Sequence, residues 1–452
     1  MSTTHLLRLW SLDTPVADIR YQAEDETWTL VYSPEWLASP EAYGLSPVLP
    51  LQTPGSGYPS ASVRRFIENL LPEGRALDIV AASQGVAKSN VYGLIQALGA
   101  ETTGAFRFLT PDQDGRSKPT AAPWRRVTLD ELDQRIQDRD HRPFMEWDGQ
   151  VRLSVAGYQD KLLVYVDGDM GATGSLVLPE YPLASTHILK PQPLGNQLPH
   201  MVINEHYCMS LARALGLPAA EVSILRTPRP VLAIRRFDRE VVRDAGGTWV
   251  RRLHIIDACQ ACDLPVSFKY ERNVGSAGAA AQYRDGVSFE KLFGLLQHVN
   301  KKAIDKLNLL RWALFQYVIG NCDAHGKNFS FFVGPYGLSA APWYDLVSVS
   351  QYPQMSQEMA MAFGDAFRFE DVKAFPLADF AIRCDIDRRL LARETQRLQR
   401  GVEQHAVALA QSGVYEDEER VFASGIAQQA LSAGALLATT ASEAAKLPSK
   451  YL

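Results

Sequence analysis

The hydrophobic pattern of this chain shifts from largely strand-like to mostly helical, and that shift restricts the folds open to it more than any single residue does. Up to Phe237 the apolar residues come largely in short runs of strand length, such as Thr27-Trp28-Thr29-Leu30-Val31-Tyr32, Leu162-Leu163-Val164-Tyr165-Val166 and Thr186-His187-Ile188-Leu189-Lys190. From Leu253 onward the spacing is mostly helical. Its strongest stretch is residues 305–320, with Leu307, Leu310, Ala313, Leu314, Tyr317 and Val318 on one face. Strands followed by helices imply an α+β protein with a β-rich lobe on a helical lobe.

Punctuation divides the chain further. Residues 5–51 read as β-rich, and residues 61–100 carry helical spacing at Val63, Phe66, Ile67, Leu70 and Leu71, then Ile79, Val80 and Val86. A Pro-, Gly- and Ser-rich stretch at 111–123 marks a linker. The expected domains are therefore an N-terminal α+β module at 1–112, a β-rich lobe at 113–238 and a helical lobe at 239–452. Within them the spacing predicts helices at 127–139 and 199–216, the latter closed by Gly216, and strands at 222–225 and 231–237. A strand at 329–333 and a second one reaching Tyr344 come next, then broken helices over 378–412 and 416–445.

With 452 residues and 46% apolar content, the chain can build two or three cores. Its net charge of −5 excludes a broad nucleic-acid-binding face but not a local basic patch. Residues 425–440 are too short and too polar to span a bilayer, and the first ten residues lack a signal-peptide core, so a cytoplasmic protein without membrane contact is expected. Five cysteines, an odd number, fit free thiols in a reducing compartment. Cys259 and Cys262 form a lone C-x-x-C with no second ligand pair nearby, which favours small buried helix residues over a metal site.

One constellation carries chemistry. Asp323 and Asn328 have the D-x-x-x-x-N spacing of a protein-kinase catalytic loop, coming after the helix that ends at Gly320. An Asp there accepts or orients the proton of an attacking hydroxyl, while the Asn amide oxygen and the later carboxylate of Asp345 are hard ligands suited to Mg²⁺. Upstream, Lys190 ends an apolar strand and Glu205 lies in the next helix, in the order expected of a phosphate-binding lysine and the acid that holds it. Each piece alone also reads as ordinary surface: a loop Asp with a turn Asn, a solvated Lys, a solvated Glu. The stretch Ser154-Val155-Ala156-Gly157-Tyr158-Gln159-Asp160-Lys161 has one glycine, and its residues alone leave open a plain hairpin turn or a phosphate-cradling loop.

Together these stretches resemble the HipA-like toxin kinases, serine/threonine kinases of bacterial toxin–antitoxin modules. The matching segments are 154–161, His187-Ile188-Leu189-Lys190, Asn204-Glu205, Arg236-Phe237-Asp238-Arg239, Leu253-His254, Leu264-Pro265 with Lys269-Tyr270-Glu271, residues 321–328 and Tyr344-Asp345-Leu346. Phe66-Ile67-Glu68-Asn69-Leu70-Leu71-Pro72-Glu73-Gly74 resembles the family's N-terminal module. The resemblance implies a bilobal protein-kinase-like fold that uses ATP and Mg²⁺. By that resemblance Asp323 would be the catalytic base, and Asn328 and Asp345 the metal ligands. Lys190, supported by Glu205, would bind the phosphates. Ala156, Gly157, Tyr158, Gln159, Asp160 and Lys161 would cradle them. Arg235, Arg236 and Phe237 would form the hinge at adenine, and His325, Gly326, Lys327 and Tyr344 would line the nucleotide. Ser154 matches the serine that such kinases autophosphorylate; a phosphate there adds about −1.5 to −2 charges and would expel the loop.

Two departures leave the catalytic groups in place: Arg235 stands where the family often has Glu, and Cys322 where Thr is common. The resemblance further implies a small helix-turn-helix, HipB-like antitoxin as partner, operator DNA contacted through it, and a translation protein, an aminoacyl-tRNA synthetase, as substrate. Two other roles stay open: a catalytically weak corepressor acting through its antitoxin, or a small-molecule kinase on the same scaffold. Loss of Asp323 would leave the first unaffected, and the second would label no protein in a lysate.

Overall fold

In the computed structural model, which describes residues 4–52, 57–113, 115–116, 124–152, 159–170, 172, 175–245 and 247–448, the short apolar runs form antiparallel sheets. The chain divides into two compact units, each made of separated stretches: 1–191, 225–256 and 332–338 in the first, and 192–224, 257–331 and 339–452 in the second. The linear division at 112 and 238 runs in chain order, whereas these units take up the chain in alternation.

The first unit contains a four-stranded sheet in the order Thr27–Tyr32, Thr14–Gln22, Thr4–Ser11, Arg107–Leu109. The 61–100 stretch forms three helices, Ser60–Glu68, Gly74–Gln84 and Val91–Leu98. Gly85 closes the second of them at φ 61°, a left-handed cap that glycine adopts without a Cβ penalty. A six-stranded sheet comes next, ordered Val222–Arg226, Pro230–Arg235, His187–Pro191, Leu162–Val166, Leu176–Val177, Arg126–Val127. Helix Leu129–Gln137, capped by Thr128 on the Glu131 N–H, covers one face. There Leu132 and Ile136 meet Leu162, Val164, Leu189, Val231 and Ala233. Tyr165 and Val177 pack on the other face with Leu183, Ala184 and Val250. Strand alternation then puts Lys190 on the face opposite Leu189.

The hairpin Arg239–Asp244 with Gly247–Arg252 was not legible in the sequence. Its strands set the short apolar pairs Val241-Val242 and Trp249-Val250 among Arg, Glu and Asp, and Val241 is exposed.

The second unit is built around helix Lys302–Ile319, whose residues 312–319 are all buried. The single apolar face expected from spacing applies only to its first half; the end that leads into the Asp323 loop is enclosed on every side. Helix Met201–Ala214 ends as expected, with Gly216 at φ 71° and the Leu217 N–H bonded to the Ala212 carbonyl at 3.0 Å, a Schellman closure. Residues 262–288, expected to be mostly helical, are turns with two short 3₁₀ pieces, as Pro265, Gly275, Gly278 and Gly286 interrupt any helix. The strand expected to reach Tyr344 stops at Ala340, because Pro342 has no N–H for a ladder.

Helix Asp417–Ala444 is 28 residues long with a mean hydropathy of 1.4 over its most apolar window, which meets the length and composition of a membrane span. One face of it, with Ala423, Ile426, Ala430, Leu437, Ala441 and Ala444, is buried, whereas Val421 and Leu436 are exposed, and it packs along helix Arg388–Ala410.

Candidate active site

Gly320 ends the central helix at φ 67°, and the loop after it is held by bonds within itself and by bonds from neighbouring segments, such as the Gly326 N–H to the Lys269 carbonyl at 2.8 Å. The Asn321 side chain takes a bond from the Asp323 N–H at 2.9 Å and donates to Gln316 Oε1 at 2.8 Å. The Asp323 carbonyl accepts from the His325 N–H at 2.8 Å and from Asn328 Nδ2 at 2.7 Å. The loop therefore closes on itself, and Asp323 and Asn328, five residues apart in sequence, become direct neighbours. Because the Asn328 amide nitrogen is engaged, its oxygen is the atom left to act as a ligand. Gly326 is required by close approach: a Cβ there would lie 2.5 Å from Val287 Cγ2.

Asp345 joins this loop electrostatically. Its carboxylate acts on the buried His325 ring, whose pKa is nonetheless driven down to about 3, first by burial and then by Lys269. The neighbouring Tyr344 hydroxyl bonds the Lys327 carbonyl and Ser330 Oγ, each at 2.7 Å, which fastens the segment to the loop. Asp345 itself sits at φ 57°, in the left-handed region that costs a non-glycine residue about 1 kcal/mol or more and that clusters at functional sites. Downstream, Asn204 clamps the same segment, donating to the Ser348 carbonyl at 3.0 Å and accepting from its N–H at 2.7 Å.

Three contributors carried no role in the sequence reading. Tyr270 donates its hydroxyl to Asp323 Oδ1 at 2.5 Å and meets the His325 ring edge-on. Its backbone is fixed by the next residue: buried Glu271 bonds Arg284 and the Ala362 N–H, the latter at 2.8 Å. Asp257 takes the Lys327 ammonium at 2.5 Å, with both side chains nearly buried, while capping helix Ala258–Ala261. Lys327 thus offers the loop its backbone, its charge being held by Asp257. For Asn204 and Tyr270 a signal existed, since both lie inside the segments that carried the resemblance; a lone Asp257 carried none. Cys259 is buried in helix Ala258–Ala261 and Cys262 caps it, with burial raising the Cys262 thiol to about 12. Among the described residues no three His, Cys, Asp or Glu side chains cluster as metal ligands.

In the first unit Lys190 is buried on strand His187–Pro191, opposite Leu232, and Arg235 pairs with His187. Phe237 meets the Phe332 ring edge-on. Arg236 is buried and makes a two-pronged ion pair with Asp238 at 2.9 and 2.8 Å, so its guanidinium belongs to the interior. Burial opposes the charge of Asp238, but Arg236 and Arg239 outweigh it and hold that carboxyl far below the usual range. Asp160 faces Arg139 at 3.6 Å, and Lys161 is buried. Glu205 is buried on helix Met201–Ala214 of the second unit. Ser154, Ala156, Gly157 and Tyr158 lie outside the described residues.

A mixed α+β chain that gathers an Asp, an Asn and a strained second Asp around one loop defines a class, a protein-kinase-like phosphotransferase. The comparisons are specific about which. The HipA-like C-terminal domain model matches residues 153–409, and the HipA N-terminal domain model matches residues 7–109. The serine/threonine-protein kinase toxin HipA of Shewanella oneidensis is 38% identical over 393 residues, covering 87% of this chain and 86% of that protein. A solved complex of Shewanella oneidensis HipA with HipB and operator DNA matches with a TM-score of 0.86 and 35% identity, covering 98% of this chain and 100% of that one. The chain belongs to the HipA-like family of toxin serine/threonine protein kinases.

Proposed function

We propose that this chain moves the γ-phosphoryl group of ATP to a serine or threonine of a translation protein, an aminoacyl-tRNA synthetase, as the toxin of a toxin–antitoxin pair. The observation that carries the reading is the closed loop that sets Asp323 against Asn328, with the Tyr344-Asp345 segment fastened to it through the Tyr344 hydroxyl. The donor set fits a Mg²⁺–nucleotide: the Asp345 carboxylate and the Asn328 amide oxygen are both hard ligands, and a buried His325 Nδ1 beside them has no hydrogen-bond partner among the described residues and is free to meet the nucleotide. When bound, ATP supplies the phosphoryl group and Mg²⁺ offsets its developing charge. Asp323 orients the acceptor hydroxyl and takes its proton. Asn328 Oδ1 and the Asp345 carboxylate hold the metal. Lys190, supported by Glu205, holds phosphate oxygens, and residues 156–161 supply backbone N–H groups. Residues 235–237 face adenine through their main chain, and His325, Gly326, Lys327 and Tyr344 line the nucleotide.

In this reading Ser154 is autophosphorylated and switches the enzyme off, and the functional division is 1–112, 113–238 and 239–452. The partner is a HipB-like helix-turn-helix antitoxin, through which operator DNA is met, in the cytoplasm. The solved Shewanella complex with HipB and operator DNA supports that partnership. The test is γ-labelled ATP with cell lysate. Wild type should label a discrete protein band, and Asp323→Gln should lower the rate by about 10² to 10⁴. Equal labelling by both would refute the assignment, and labelling of small molecules alone would move the chain to another substrate class.

A further inference from the structure

Glu101 lies outside every element assigned to ATP, in the short turn Gly99–Glu101 of the N-terminal module. It is nevertheless half-buried and bonded to the segment that leads into the Lys190 strand. Its Oε1 accepts from the Ser185 N–H at 2.6 Å and from the Ser185 hydroxyl at 2.5 Å. That same hydroxyl accepts from Arg236 Nη1 at 2.9 Å, so Glu101, Ser185, Arg236 and Asp238 form one unbroken chain of bonds. Two more arginines join from the same side: Arg239 donates to the Thr102 carbonyl at 2.9 Å and Arg252 to the Ala100 carbonyl at 3.1 Å. Burial works against the Glu101 charge, and Arg252, Arg236 and Arg239 together overcome it.

The position of this cluster matters. Ser185 and Thr186 immediately precede strand His187–Pro191, which carries Lys190. Arg236 comes directly after strand Pro230–Arg235 and is itself part of the hinge. The Arg236 N–H bonds the Thr186 carbonyl at 2.8 Å, so the start of one strand and the end of the other are pinned at a single point. Glu101 grips that point from a different part of the chain.

We propose that Glu101 is a positioning residue for nucleotide, so that the N-terminal module sets part of the kinase's affinity for ATP. The proposal rests on the ATP reading above. By fixing Ser185, Glu101 holds Arg236 and with it the hinge, and it holds the first residues of the Lys190 strand in register. Residues that orient the groups touching a ligand commonly matter about ten- to a hundredfold when removed.

The experiment titrates a non-hydrolysable ATP analogue with Mg²⁺ into the full chain by calorimetry, alongside thermal unfolding without nucleotide. Glu101→Ala should weaken binding by about tenfold or more. Glu101→Gln keeps an oxygen for the Ser185 N–H but loses the charge facing the arginines. It should therefore bind within about threefold of wild type while unfolding at lower temperature. Ser185→Ala, which cuts the hydroxyl link to Arg236, should weaken binding more than Glu101→Gln does, although it too lowers the unfolding temperature by leaving a buried donor unpaired. If affinity instead tracks unfolding temperature across the variants, or if Ser185→Ala binds as wild type, Glu101 is only structural and the proposal falls. Should Glu101→Ala fail to fold, the Gln and Ser185 variants decide alone. A wild type that binds no nucleotide overturns the ATP reading and the proposal together, whereas variants that bind normally beside an active wild type overturn only the proposal.

Discussion

Lys327→Met tests whether the loop is held by the buried pair with Asp257. The Nζ–Oδ2 distance is 2.5 Å, and the side chains are 3% and 11% exposed, so water screens little of the interaction. Removing the cation strands a carboxylate, and breaking one half of a buried pair costs about 3–5 kcal/mol. Asp257 keeps its cap bond to the Gln260 N–H at 2.9 Å, which places the loss near the lower end, about 3 kcal/mol. With a urea dependence of about 3 kcal/mol per molar, the unfolding midpoint should fall by about 1 M. The assay is urea unfolding monitored by far-ultraviolet circular dichroism for wild type, Lys327→Met, Asp257→Asn and the double variant. The double variant leaves no uncompensated charge, so it should be more stable than Lys327→Met. A midpoint shift below about 0.3 M, or a double variant no better than the single, would refute the reasoning.

The same geometry sets other expectations. Burial pulls the His254 pKa from 6.5 down to about 4, with its bond to the Leu45 carbonyl opposing. The native state thus excludes a proton that the unfolded chain binds, so this stability is complete above about pH 6.5 and is lost as pH falls toward 4, by about 2 kcal/mol at pH 5. His325, also depressed, acts in the same window. Urea midpoints at pH 7.5 and 5 should show the fall in wild type and roughly half of it in His254→Gln, since each histidine contributes a similar amount; an equal fall in both would exclude His254 as a source. Gly326→Ala should destabilise by about 1–3 kcal/mol and depress phosphorylation, and adding Val287→Ala should recover only part of both, because it removes the Cγ2 contact at 2.5 Å but leaves Val287 Cβ at 2.8 Å. Tyr270→Phe removes the hydroxyl on Asp323 and should lower kcat by about three- to tenfold with the ATP KM unchanged. A shift in ATP KM with kcat intact would place the Tyr270 hydroxyl on the nucleotide rather than on Asp323.

Legibility in the sequence depended on the source of each element's order. Strand Leu162–Val166 was plain as a short unbroken apolar run, and helix Lys302–Ile319 as a long apolar stretch, because both bury most of their side chains. Residues 262–288 were misread because their order comes from tertiary bonds, such as those of Glu271 to Arg284 and Ala362, which leave no period. The same distinction divides the site. Asp323 and Asn328 lie within one loop, so their spacing was readable. Asp257 meets Lys327 across 70 residues, and nothing local to either predicts the other. Tyr270 reaches Asp323 over a similar gap, 53 residues, and was visible only as part of a resemblance.

The interleaving of the two units bears on how the protein comes to exist. The first unit needs residues 332–338 as well as 1–191 and 225–256. It therefore cannot finish folding on the ribosome until residue 338 has been made, even though its four-stranded sheet is synthesised much earlier. Contacts this distant in sequence form slowly and leave apolar surface waiting. A chain cut short near residue 330 would lack a piece of each unit, so an interrupted synthesis would release neither a finished first unit nor a finished second one.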